Sequence, residues 1–122
     1  MKRGDDYMEN FETIIIFKPD SSYENSLKNI QIMCQKYSND LKINIKHIGV
    51  KKLAYDVKNY QKGYYVTIIW QGTRNNVAEL ESYLRTDDNV LKFINMKSDH
   101  ILRKHEQETK VIDVLDIIYN LK

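Results

Sequence analysis

The alternation of hydrophobic and polar positions along the chain predicts four strands and two helices. The strands are expected at residues 11–17, 43–57, 64–70 and 90–97, where β-branched and aromatic side chains are frequent. Between them, two stretches carry apolar residues three or four positions apart, as on the buried face of a helix. These residues are Leu27, Ile30, Cys34, Tyr37 and Leu41 in the first stretch, and Val77, Leu80 and Leu84 in the second. The order βαββαβ predicts a ferredoxin-like α+β fold, a four-stranded antiparallel sheet with both helices on one face.

The long second strand changes phase along its length. Ile43 and Ile45 have one parity, whereas Ile48 and Val50 have the other. The first parity returns at Leu53, Tyr55 and Val57. Because alternation must hold when one face of a strand is buried, we expect an irregularity near Gly49, most simply a β-bulge. A turn at residues 59–63 should then connect this strand to the third.

Composition describes an ordinary single domain. The chain has 122 residues, 42% of them hydrophobic, and a formal net charge of +2, so any basic surface must be local. No apolar run approaches the roughly 20 residues that a membrane-spanning helix needs, so no membrane association is expected. The first ten residues lack the apolar segment of a secretory signal, and the single cysteine, Cys34, fits a reducing compartment.

Candidate catalytic chemistry is sparse. The histidines are His47, His100 and His105, which are too scattered for a metal site, and Cys34 belongs to a predicted buried helix face. The sequence contains no Gly-x-Ser-x-Gly, no phosphate-binding loop and no Gly-x-Gly-x-x-Gly. We therefore expect neither an enzyme nor a resident metal or cofactor.

Two kinds of residue favour a polyanionic partner instead. Residues 62–66, Lys-Gly-Tyr-Tyr-Val, partly match the third-strand motif of an RNA-recognition motif, although Ile69 stands where that motif has an aromatic. This match supports one possible function, that of a single-stranded RNA-binding module of the RNA-recognition-motif type. Cations are also predicted on the second strand, the end of the second helix and the last strand: Lys46, Lys51, Lys52, Arg85, Lys92 and Lys97. They could bind phosphates, or they could simply solubilise exposed faces.

Residues 48–55, Ile-Gly-Val-Lys-Lys-Leu-Ala-Tyr, resemble the L-G-x-R-R-L-A-Y motif of the small-subunit ribosomal protein six family. Residues 62–65 resemble the Q-G-Y-F that follows it, and residues 85–90 resemble its R-I-x-D-N-V. Residues 11–13 and 18–20 match the opening Y-E and the K-P-D turn of the family. The chain departs from the pattern at Asp56, where a proline is usual, and at Lys51 and Lys52, which replace two arginines. Point charges there replace forked guanidinium contacts to phosphate.

The resemblance implies the ferredoxin-like fold and a structural role in the small ribosomal subunit, with no catalysis. Members bind the central domain of the small-subunit rRNA in the platform, together with small-subunit ribosomal protein eighteen. The resemblance implies contacts to RNA or partner at Lys51 and Lys52, and further ones at Lys46, Arg85, Lys92 and Lys97. An alternative role for Arg85 is to organise the turn through Asp87 or Asp88. It also implies that an extended partner segment pairs with the edge strand carrying Ile48, Val50, Leu53 and Tyr55. The ribosome would be that of the bacterial cytoplasm or of an organelle, mitochondrion or plastid.

The resemblance divides the chain into three parts. Residues 1–10 form an N-terminal arm, residues 11–99 the ferredoxin-like domain, and residues 100–122 a C-terminal extension. Apolar residues in 111–121 can form a short amphipathic helix, which we expect to dock on a neighbouring ribosomal protein. A small-molecule regulatory domain of the same topology is a third function class that thermal-shift screening against metabolites would reveal.

Overall fold

The computed structural model describes residues 7–38 and 43–97. Its elements are β1 (Glu9–Phe17), α1 (Tyr23–Ser38), β2 (Asn44–Val57), β3 (Tyr60–Gly72), α2 (Arg74–Thr86) and β4 (Val90–Lys97). The four strands form one antiparallel sheet in the order β2-β3-β1-β4, so the predicted βαββαβ fold is confirmed. Leu41 and residues 98–122 lie outside the described residues, and so does the proposed C-terminal helix.

Both helices pack on the same face of the sheet, as the spacing of their apolar residues predicts. Leu27, Ile30 and Cys34 of α1 and Leu80 and Leu84 of α2 are buried against the central strands. A capping box begins α2: the Thr73 side chain accepts from the backbone of Asn76, whose side chain accepts from the Thr73 backbone. No helix in the described part of the chain is long and apolar enough to cross a membrane.

Trp70 of β3 lies at the centre of this helix-side core. Its side chain is fully buried, with ring centroids 5.2 Å from Phe11 and 5.7 Å from Tyr37. Its Nε1 donates a 2.8 Å hydrogen bond to Oγ1 of Thr13, which in turn donates to Oδ1 of Asn95 on β4. A large aromatic group therefore links the two interior strands, one edge strand and α1.

The predicted irregularity near Gly49 is present. The pairing of β2 with β3 shifts between His47 and Gly49, and Gly49 has a φ of 105°, which glycine adopts without strain. A second shift lies between Lys52 and Val57.

The turn prediction at residues 59–63 was wrong in its bounds. The chain turns at Lys58 and Asn59, both at positive φ (49° and 70°), and β3 already begins at Tyr60. Two consecutive left-handed residues match the right-handed twist of a hairpin, and asparagine tolerates this conformation better than most residues. Residues 61 and 62 are polar, which favours a turn, but both belong to β3, and residue 62 pairs with β2.

The outer end of the β2–β3 hairpin crosses the helix-free face of the sheet. We call residues 53–60 the hairpin arm. Leu53 packs there with Ile16 and Leu91. Its side chain also lies close to Gly63. A Cβ added at Gly63 would lie 2.2 Å from Cγ2 of Ile16. Although β2 and β4 are opposite edges of the sheet, the arm reaches β4, and Tyr55 contacts Lys92.

Candidate nucleic-acid interface

The six cations predicted from the sequence do not form one patch. They lie in four places: Lys51 and Lys52 on the edge strand, Lys46 beside a buried glutamate, Lys97 in an ion-pair cluster, and Arg85 with Lys92 beside the hairpin arm. The local environments of these places differ, so their suitability for RNA differs too.

Lys51 and Lys52 are exposed on β2, directly after the bulge. Lys52 lies opposite Lys62 of β3, and like charges directly opposite in a sheet repel one another. Binding a phosphate would relieve this repulsion. The pair is therefore the best-placed part of the edge strand for a polyanion.

Lys46 lies in a different electrostatic environment. It lies near Glu12, a β1 residue on the helix-free face that is only 3% exposed. Burial raises the pKa of Glu12 above its usual range, and the nearby charge of Lys46 partly opposes this effect. Lys46 therefore acts on an internal carboxylate, which reduces its value as a phosphate contact.

Glu12→Gln is expected to raise the free energy of unfolding at neutral pH. Because the folded state holds the pKa of Glu12 above its unfolded value, ionisation costs stability as the pH rises through this interval. The stability that Glu12→Gln gains over the wild type should reach its full value above the pKa of Glu12 in the folded state. It should disappear below the unfolded pKa of glutamate, about 4.3. Urea unfolding of both proteins between pH 3 and pH 8, at about half-unit steps, measures it. A difference independent of pH would contradict the environment described for Glu12.

Lys97 is paired with an acidic residue. Its Nζ lies 3.1 Å from Oε1 of Glu9, whose Oε2 lies 3.3 Å from Nε of Arg74. The hydrogen bond from Lys97 is the main cause that lowers the pKa of the Glu9 carboxyl below its usual range. The Glu9 carboxylate thus offsets part of the local positive charge.

Arg85 and Lys92 come together with a cation that the sequence did not single out, Lys58. These three line a pocket between the end of α2, the start of β4 and the hairpin arm. Lys58 Nζ donates to the carbonyl of Val90 at 3.4 Å, and Lys92 Nζ donates to the hydroxyl of Tyr55 at 2.9 Å. Lys58 comes directly before the turn that the sequence predicts, but only the course of the hairpin arm brings it to β4.

The edge strand β2 has a free side, because it pairs only with β3 in the described sheet. Val50 is 52% exposed and Tyr55 is 38% exposed, whereas Ile48 is half-buried. Leu53 is only 4% exposed, so the expectation that it contacts a partner requires correction. After the bulge, Leu53 points to the same side of the strand as Gly49, which pairs with Tyr65 of the helix-free core.

The aromatic residues of β3 are not displayed for base stacking. Tyr65 is fully buried on the helix-free face. Tyr64 lies on the helix side, stacked at 4.2 Å on Tyr23, with its hydroxyl 2.7 Å from Nδ1 of His47. RNA-recognition motifs instead expose strand aromatics to the bases. The two tyrosines of the matching segment therefore do not favour the alternative function.

The described residues offer little for metal or thiol chemistry. They contain no group of three or more potential ligands that could hold a metal ion. Cys34 is buried in the helix-side core, and burial raises the pKa of its thiol to about 12. A thiol with this pKa is a poor nucleophile at neutral pH.

Comparison with known proteins agrees with the sheet and the motif strand. The family model described as Ribosomal protein S6 matches residues 10–97, which include every described strand except the first residue of β1. The chain belongs to the ribosomal protein S6 family.

Relatives of this S6-family chain come from several bacteria. It is 33% identical over 92 residues to the small ribosomal subunit protein bS6 of Desulfovibrio desulfuricans, covering 74% of this chain and 90% of that one. It is 32% identical over 111 residues to the bS6 of Pelobacter propionicus, covering 88% and 84%. The crystal structure of 30S ribosomal protein S6 from Thermotoga maritima superposes with a TM-score of 0.68 at 20% identity, over 80% of this chain and 94% of that one. This superposition supports the fold.

Proposed function

We propose that this S6-family chain is a structural constituent of the small ribosomal subunit. It binds the central domain of the small-subunit rRNA together with small-subunit ribosomal protein eighteen. The observation that carries the proposal is the position of the family motif: it occupies a strand with a free edge and displays two adjacent exposed lysines. The bacterial origin of the relatives favours a bacterial ribosome over an organellar one.

On β2, the free backbone edge binds the protein partner and the two lysines bind the rRNA. An extended segment of the protein partner pairs with the free backbone groups of the edge, and exposed Val50 and Tyr55 contact its side chains. Lys51 and Lys52 neutralise rRNA phosphates and release counterions, so recognition follows the shape of the RNA backbone. Protein and RNA then meet on one strand, which makes their binding cooperative.

The parts outside the sheet complete the proposal. Residues 11–99 form the rRNA-binding domain, residues 1–10 an N-terminal arm, and residues 100–122 an extension. The apolar residues of 111–121 dock the extension on a neighbouring ribosomal protein, because the sequence pattern that predicts the six elements ends before them.

The Lys51→Glu, Lys52→Glu double variant tests this function. It is expected to weaken joint binding of the partner protein and a central-domain rRNA fragment by about tenfold or more, and to lower the salt slope by about two. A gel-shift titration at several salt concentrations measures both quantities. The matched control is Lys28→Glu, Lys36→Glu, which makes the same change of charge on α1. Equal affinities of the two double variants would refute the assignment.

Val50→Glu separates the protein contact from the RNA contact. It places a charge on the exposed edge and is expected to weaken capture of the partner protein when RNA is absent. Ile32→Glu is its control, because Ile32 is 64% exposed on α1, away from the sheet edge. A similar loss in both variants would show that the β2 edge is not the partner's site.

A further inference from the structure

A pocket of 220 Å³ lies where the hairpin arm meets the far edge of the sheet. Its lining residues are Lys58 of the turn, Leu84 and Arg85 at the end of α2, and Val90, Leu91, Lys92 and Phe93 at the start of β4. Elements far apart in sequence therefore build one concave site. The family motif strand and its lysines are not part of its lining.

The charged part of the pocket is entirely cationic. Lys58, Arg85 and Lys92 come from three different elements, and no carboxylate belongs to the described lining. The carbonyl end of α2 contributes a partial negative charge, which three full positive charges outweigh. The site is therefore suited to an anion.

Two of the three cations, Lys58 and Arg85, have long contacts that leave room for a ligand, whereas Lys92 donates to the hydroxyl of Tyr55 at 2.9 Å. Lys58 Nζ lies 3.4 Å from its carbonyl acceptor, and Nη2 of Arg85 lies 3.4 Å from Oε1 of Glu81, both at the long end of hydrogen-bond distances. The Arg85 side chain is 65% exposed, so water screens its ion pair with Glu81. A phosphate can take over these donors by small side-chain rotations.

The rest of the pocket is apolar and partly aromatic. Leu84, Val90 and Leu91 are buried beneath it, and Cζ of Arg85 lies 5.8 Å from the centroid of the half-buried Phe93 ring. Aromatic rings and arginine guanidinium planes are the surfaces on which proteins stack unpaired bases. The pocket thus offers donors for a phosphate next to a surface for a ring.

We propose that this pocket binds one unpaired nucleotide of an RNA strand. Lys58 and Lys92 hold its phosphate, and the base stacks on the layer formed by Arg85 and Phe93. The volume of 220 Å³ is below the range of about 300–1,000 Å³ typical of small-molecule sites, which suits a single base. The assignment rests on the proposed RNA-binding function and adds a second contact, beside the β4 edge and away from Lys51 and Lys52.

Nuclear magnetic resonance on the ¹⁵N-labelled full chain tests the site without any partner protein. Adenosine 5′-monophosphate should shift the amides of residues 58, 85 and 91–93 at millimolar concentration, more than adenosine or inorganic phosphate alone. No shifts at these amides, or equal shifts over all exposed lysines, would overturn the proposal. This readout uses the wild-type chain, so it does not depend on the folding of a variant.

Two RNA hairpins distinguish an RNA nucleotide from a free one. A hairpin with a single bulged adenosine should bind more tightly than a fully paired hairpin that lacks this adenosine and is otherwise identical. Lys58→Gln and Arg85→Ala should each weaken binding of the bulged hairpin by about tenfold, whereas Lys36→Ala on α1 should not. Equal affinity for the two hairpins, or micromolar binding of the free nucleotide, would overturn the RNA assignment.

The two proposals can fail separately. If Lys51→Glu, Lys52→Glu abolishes joint binding while the pocket amides do not respond to nucleotide, the pocket assignment falls and the ribosomal function stands. If the pocket responds but the double variant binds like its control, the assignment of Lys51 and Lys52 to rRNA falls and the pocket assignment stands.

Discussion

Replacing Trp70 with alanine is expected to lower the free energy of unfolding by about 3–5 kcal/mol. The substitution leaves a large cavity between Phe11 and Tyr37, and it removes the donor to the Thr13 hydroxyl. Chemical denaturation followed by far-ultraviolet circular dichroism is the appropriate measurement, because Trp70 is the only tryptophan in the chain and its fluorescence is lost.

Two further variants show whether the loss comes from packing. Trp70→Phe should recover most of the stability, since it keeps an aromatic ring and loses mainly the indole N–H. Tyr7→Ala removes an aromatic side chain that is 52% exposed and should change stability by less than about 0.5 kcal/mol. If Trp70→Ala were as mild as Tyr7→Ala, Trp70 could not be the centre of the helix-side core.

Gly63→Ala is expected to destabilise the fold by about 1–3 kcal/mol and to displace the hairpin arm. The new Cβ would lie 2.2 Å from Cγ2 of Ile16, which is 1% exposed and packed on all sides. Displacing the arm also separates Tyr55 from Lys92 and opens the cationic pocket. Urea denaturation measures the stability, and the amide shifts of residues 90–92 report the position of the arm.

A double-mutant cycle tests whether the Cβ added at Gly63 collides with Ile16. Because Ile16→Ala removes the colliding methyl group, Gly63→Ala should cost little in that background. Gly49→Ala is the contrasting case: nothing lies within 4 Å of the added Cβ, but the φ of 105° strains it. The cost of Gly49→Ala should be the same with and without the Ile16→Ala change. Equal behaviour of the two glycines would contradict the close approach at Gly63.

The sequence predicts most of the sheet because its strands are built from local patterns. Residues 14–17 are apolar on both faces, and they lie in an interior strand with buried residues on both sides. The parity change between Ile45 and Ile48 predicted the bulge at Gly49, since a buried face tolerates no other solution.

The pocket could not be predicted in the same way. Lys58 and Lys92 are both visible in the sequence, but they meet only where the hairpin arm reaches β4 and Leu53 packs with Leu91. The course of the arm depends on contacts between residues far apart in the chain, and periodicity within one strand carries no information about them. The pairing of Lys46 with Glu12 could not be predicted for the same reason.

The position of β1 between β3 and β4 affects how the protein folds during its own synthesis. Thr13 and Asn95, which are hydrogen-bonded across this pairing, are 82 residues apart in sequence. At about 5–20 residues per second, the first strand waits roughly 4–16 s for its second neighbour to be made. The β2–β3 hairpin is local and can form earlier, so β1 can join it while its other edge is still unpaired. A nascent chain of this protein thus exposes a hydrophobic strand edge until almost the whole domain has left the ribosome.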